Sequence, residues 1–131
     1  GMAQDPKLVS AISEHRTETE AQRQAIDGLL AQHGADPEAH VDTSMEHIVK
    51  EAGKWTGMID DPDLRDAGLI STLQRMEHYE LAALGTLTAW ARQLGLDADS
   101  RVLEPRLERH KRFDARLSGL AEGSVNAEAM A

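Results

Sequence analysis

The sequence predicts an all-α protein, a helical bundle of three long helices plus one shorter crossover helix, and three observations carry that expectation. Aromatic residues make up only 3% of the 131 residues, while Ala, Leu, Glu, Arg and Gln are plentiful, a composition suited to helices that pack through small and aliphatic side chains. Apolar residues recur at three- and four-residue spacing over long stretches. Between those stretches lie Asp-Pro starts and glycine stops, the punctuation of helix ends. With 40% hydrophobic and 28% charged residues the chain can bury one core, so residues 1–131 are read as a single domain with flexible ends at 1–5 and 123–131.

Asp5-Pro6 opens the first helix, and Leu8, Ala11, Ile12, Ala25, Ile26 and Leu29 carry it from about 6 to 33, where Gly34 stops it. Residues 36–42 form a connection. Thr43-Ser44-Met45-Glu46 has the spacing of a capping box and leads Ile48, Val49, Ala52 and Ile59 into a shorter helix over about 43–59, weakened by Gly53 and Gly57. Asp60-Asp61-Pro62-Asp63 starts the third helix and Gly95 ends it. The fourth begins near 97–100 and reaches about Ala121; Pro105 falls inside that span, which implies either a kink or a true start at Glu104.

Several function classes are excluded early. Without cysteine there can be no disulfide, thiol nucleophile or thiolate metal site, which fits a cytoplasmic location. No stretch approaches the roughly 20 apolar residues of a membrane span, and no apolar signal region leads the chain. The formal charge of −9 repels phosphate, so nucleic acid is disfavoured as a partner despite the basic run Arg101, Arg106, Arg109, Lys111, Arg112 and Arg116, which reads as a solvated helix face. No phosphate loop, Gly-x-Ser-x-Gly or zinc-protease motif is present.

The chemistry lies in the apolar seams. At about 100° per residue, Leu69, Leu73, Leu84, Leu87, Ala91 and Leu94 project within a narrow arc around Glu80, with Glu77 on the flank beside Leu84. On this reading Glu80 faces a core, where an ionised carboxylate must find a cation, a proton or a metal. His15, Glu18 and Gln22 interrupt the first helix's stripe at its middle, and His110 and Asp114 interrupt the fourth helix's stripe of Leu103, Leu107, Leu117 and Ala121. Acids and imidazoles converging from facing helices build dimetal sites in four-helix bundles. Oxygen and imidazole ligands suit iron, manganese or zinc, but a closed hydrogen-bond network fits the same spacing, and spacing alone leaves both open. His78 projects away from Glu80 toward solvent, His33, His40 and His47 lie near helix ends or in the connection, and Trp55, Trp90 and the five Met residues read as core or interface filling.

These residues resemble a known family. Asp66-Ala67-Gly68-Leu69-Ile70, Gln74-Arg75-Met76-Glu77-His78-Tyr79-Glu80-Leu81-Ala82, Gly85-Thr86-Leu87 and Gln93-Leu94-Gly95-Leu96 are similar to the third-helix signature of the YciF-like bacterial ferritin-like proteins. The likeness extends to His15-Arg16-Thr17-Glu18-Thr19 and to Leu107, Lys111, Asp114, Leu117 and Ala121, nearly the whole chain. The resemblance implies a ferritin-like bundle associated with stress responses, with Glu18, His15, Glu77 and Glu80 as metal-ligand candidates. Two departures accompany it. Arg109-His110 stands where relatives carry paired glutamates, and the family's first bundle helix, with its own glutamate, has no counterpart. A partial bundle leaves an apolar groove, to be filled by the short helix or by a second chain, and a homodimer is the expected solution.

Three functional readings follow from the sequence. The preferred one is a non-catalytic, stress-associated bundle with a degenerate metal site, acting through self-association. The alternative is a dimetal carboxylate oxidase or peroxidase, with iron or another divalent metal as cofactor and His15, Glu18, Glu77, Glu80, His110 and Asp114 as candidate ligands. Nucleic-acid binding through the Arg101–Arg116 face ranks last.

Overall fold

The computed structural model describes residues 2–131. Its helices are α1 (Pro6–Gln32), α2 (Thr43–Thr56), α3 (Pro62–Gln93) and α4 (Asp97–Leu120), followed by one π-helical turn (Ala121–Val125) and a short α5 (Asn126–Ala129). The described residues contain no strand, so the expected all-α bundle is what the chain forms.

Local chemistry explains the boundaries. The side chains of Asp5 and Asp61 accept the N–H groups of Leu8 and Leu64 at 2.7 and 2.9 Å, each just ahead of a proline that begins its helix. Caps of this kind contribute about 1 kcal/mol each. At α2 the cap lies one residue earlier than the capping-box spacing predicts: Asp42, not Thr43, accepts from Met45 N–H at 3.0 Å, because its carboxylate is the stronger acceptor. The helix also stops at Thr56, short of Ile59, with Gly57 as its cap. Gly34 and Gly95 adopt φ of +68° and +69° just past α1 and α3, a conformation only glycine takes without strain. Helix α4 starts at Asp97 and runs through Pro105, so the alternative start at Glu104 is not used.

Within the two ends that the sequence reading takes as flexible, 1–5 and 123–131, individual residues make packed contacts. Backbone N–H groups of Gln4 and Asp5 donate to the buried Asp66 carboxylate at 2.6–3.1 Å, fastening the start of α1 to α3. At the other end Val125 is buried among Leu8, Ala11, Ile70, Phe113 and Leu117. The apolar side chain of Val125 sets the fate of that segment, a contact invisible in the polar composition around it. Gly1 lies outside the described residues.

Helices α3 and α4 pair antiparallel through the Gly95 turn, and α1 lies chiefly on α4, also antiparallel, as Glu14–Arg116, Gln22–His110 and His33–Asp99 contacts show. The shorter α2 crosses α3, with the Trp55 ring seated on Gly68 and Tyr79 O–H donating to the Asp42 carboxylate at 2.8–2.9 Å. Two apolar clusters result. The Leu8/Phe113/Leu117 cluster fills one end, the Leu84/Ala91/Leu103 cluster with Ile26 and Leu29 fills the other, and a polar layer separates them.

Candidate functional site

Glu77 is the centre of that layer. It is 3% exposed and lies on the seven-residue row Ile70, Glu77, Leu84 and Ala91, all buried against α4 and α1. His110 Nδ1–H donates to Glu77 Oε2 at 2.7 Å, and His15 Nε2 meets Glu77 Oε1 at 3.1 Å. Gln22 presents both amide atoms to His110 Nε2, its Nε2 at 2.8 Å and its Oε1 at 3.1 Å, so it can serve either protonation state of the ring. Phe113 stacks on the His15 ring with centroids 3.8 Å apart. Burial pushes the Glu77 carboxyl up, but the hydrogen bonds from His110 and then His15 outweigh it and hold the group below the usual carboxylate range.

The other candidates fall outside this triad. Glu80, expected at the core, is half-buried about 60° around α3 from Glu77, close enough to the triad to feel its charges, and makes no hydrogen bond or ion pair among the described residues. Burial pushes its carboxyl up. Glu18 is exposed at the rim of a cleft, and Asp114 is engaged by His78 Nε2 at 3.3 Å and Gln74 Nε2 at 3.2 Å. His78 is exposed, as the sequence predicts. Leu84 and Ala91, from the arc around Glu80, are buried together with Ile70 and Glu77, so the centre of the buried face lies nearer Glu77 than Glu80.

Sequence reasoning also missed Phe113. Leu103, His110, Phe113 and Leu117 form one inward row, all buried, and their spacing of seven, three and four was the available signal.

One ligand atom from each of His15, Glu77 and His110 lies within 4.8 Å of the other two, and Gln22 Oε1 stands ready to accept from the far nitrogen of a ligating His110. Two imidazoles and one carboxylate fit a single divalent ion. Two ions need more carboxylates than the triad supplies, and neither Glu18 nor Glu80 points an oxygen into it.

An all-α bundle with an acid–imidazole layer between two apolar halves defines the class. The chain belongs to the family described as Domain of unknown function (DUF892), whose model matches residues 1–130. It is 34% identical over 124 residues to Protein YciF of Escherichia coli strain K12, covering 94% of this chain and 75% of that one. Among solved structures it resembles the E. coli stress protein YciF (TM-score 0.87, 32% identity, 95% of this chain and 79% of that chain). It also resembles YcfI of Rhodopseudomonas palustris, described as a candidate structural protein (TM-score 0.84, 32% identity, 89% and 74%).

Proposed function

We propose that this protein is a stress-associated, non-catalytic bundle that acts by self-association through the groove between α1 and α3. One observation carries the reading. Leu69, Leu73, Met76, Glu80, Ala83, Leu87, Trp90 and Leu94 alternate at four and three residues along α3, the spacing of a helix–helix seam; the first four are half-buried, and Ala83, Leu87, Trp90 and Leu94 are left exposed. Leu87, Trp90 and Leu94 are 44%, 58% and 72% exposed, while the buried row beside them includes small Ala91. Large apolar side chains left in water along one helix face make that face suited to a second packing partner. The facing row of α1 mirrors it: Val9, Ile12, Ile26 and Leu30 are apolar at the ends, and Arg16, Thr19 and Arg23 are polar at the middle.

A second copy laid antiparallel across this groove sets apolar ends on apolar ends. It also brings the unpaired Glu80 carboxylates to the level of the arginines. The seam from Leu69 to Leu94 spans roughly 38 Å, long enough for a standard interface. Light scattering at micromolar concentration tests the reading: the protein is expected as a dimer and Leu94→Glu as a folded monomer. A monomeric parent protein, or a dimer indifferent to Leu94→Glu and Trp90→Glu, would sink it.

The triad favours a second reading, one divalent ion held by His15, Glu77 and His110. Bound there, a ferrous ion would offer open positions for oxygen or peroxide. The chain's own part is to orient both rings, through Glu77, Gln22 and Phe113, and to exclude water by burial. Titrating Mn²⁺ into chelator-treated protein is expected to saturate at one ion per chain and raise the melting temperature, with both effects lost in His110→Ala. Absence of saturable binding removes this reading and leaves the layer as a purely structural network.

A further inference from the structure

We infer that the cleft between α1 and α4, over the outer edge of His15, is a binding site for one small oxyanion, a phosphate or a carboxylate. Arg106, Arg109, Arg112 and Arg116 follow one another at three, three and four residues and so share a face of α4. Only Arg116 has an acidic partner, Glu14 at 2.6 Å. Arg109 and Arg112 make no ion pair or hydrogen bond among the described residues, and both line a cleft of about 230 Å³ with His15 and Phe113. Arg106 stands next along the face, where its buried Nε has no acceptor. Its guanidinium is lowered first by burial and then by the like charge of Arg109.

Glu14 is already neutralised by Arg116, so within the cleft Glu18 is the single unengaged carboxylate against two unengaged guanidinium groups. A local positive excess stands out on a chain of net charge −9. Planar guanidinium forks match the paired oxygens of phosphate and carboxylate, and two of them lining one cleft from successive turns can offer a bidentate grip that a surface lysine cannot. The site is distinct from the α1/α3 groove and borders the buried layer through the His15 ring, so an occupying anion is sensed one side chain away from Glu77.

The test is a ¹H–¹⁵N NMR titration of the intact protein with inorganic phosphate and, separately, malonate, each at ionic strength held constant with chloride. Saturable shifts at the Arg109 and Arg112 side chains and at His15 are expected with at least one probe. Phosphate alone identifies a phosphate site, malonate alone a carboxylate site, and both a general oxyanion site. Arg109→Ala with Arg112→Ala should weaken binding at least tenfold, and each single variant should weaken it less; circular dichroism verifies that they fold. Lys111→Ala, on the same helix but paired with Glu108, should leave binding unchanged. No saturation by either probe overturns the inference, and so does equal weakening by Lys111→Ala, which would reduce the effect to diffuse charge.

Discussion

Glu77 and Glu80 lie three residues apart on α3 and experience opposite environments. Glu77 is enclosed but bonded to two imidazoles, and Glu80 is half-enclosed and makes no hydrogen bond or ion pair among the described residues. Because Glu77 binds its proton less tightly when folded than when unfolded, its contribution to stability is complete above about pH 4.3 and is lost as pH falls from there through its folded value. Glu77→Gln keeps the shape, removes the charge, and leaves one imidazole N–H facing an amide in place of a carboxylate. It is expected to cost about 1–3 kcal/mol at pH 7 in urea denaturation. The loss should shrink as pH falls below about 4.3 toward the folded value, because the advantage of the ionised carboxylate in the folded chain fades over that range; a loss that stays constant as pH falls would show that shape, not charge, matters at this position. That Glu77 rather than Glu80 occupies the centre was not legible in the sequence, since three residues rotate a side chain by only about 60° around the axis, and both lie among apolar residues.

At the scale of the element, the boundaries were legible and the docking was not. Asp5-Pro6, Asp61-Pro62, Gly34 and Gly95 announce where helices start and stop through local hydrogen bonds and φ preferences, which need no tertiary partner. How α2 meets α3 depends on a contact thirteen residues apart in sequence, Trp55 on Gly68, and nothing in either residue's neighbourhood indicates it. A methyl group at Gly68 would sit 2.4 Å from Trp55 Cζ3 with Ile59 also close, so the ring must move. Gly68→Ala is therefore expected to destabilise by about 1–3 kcal/mol through overpacking, although alanine is the better helix former. Amide exchange should localise the effect, with protection falling in α2 and holding in α4. Unchanged exchange in α2 would mean that the Tyr79–Asp42 hydrogen bonds, rather than this ring, fix the crossover helix.

The whole molecule raises a question that no single helix answers: why a leucine-rich seam should carry one carboxylate at its midpoint. In helix–helix seams a lone polar residue lowers stability while selecting one register and one number of chains, because only one arrangement gives it a partner. Glu80 fits that role. It interrupts the α3 row between Met76 and Ala83, it makes no hydrogen bond or ion pair among the described residues, and Arg16 on the facing row is exposed and likewise unpaired among them. Antiparallel pairing of two copies satisfies Glu80 when the midpoints coincide, and a slip by one heptad buries it against leucine. Glu80→Leu should consequently tighten association, with the sedimentation-derived dissociation constant falling at least tenfold, while the single dimer species broadens into a mixture of dimers and larger assemblies. If Glu80→Leu instead weakens a still-unique dimer, the carboxylate is a direct contributor to affinity. If it leaves sedimentation unchanged, the seam lies outside the interface and the groove must serve another partner.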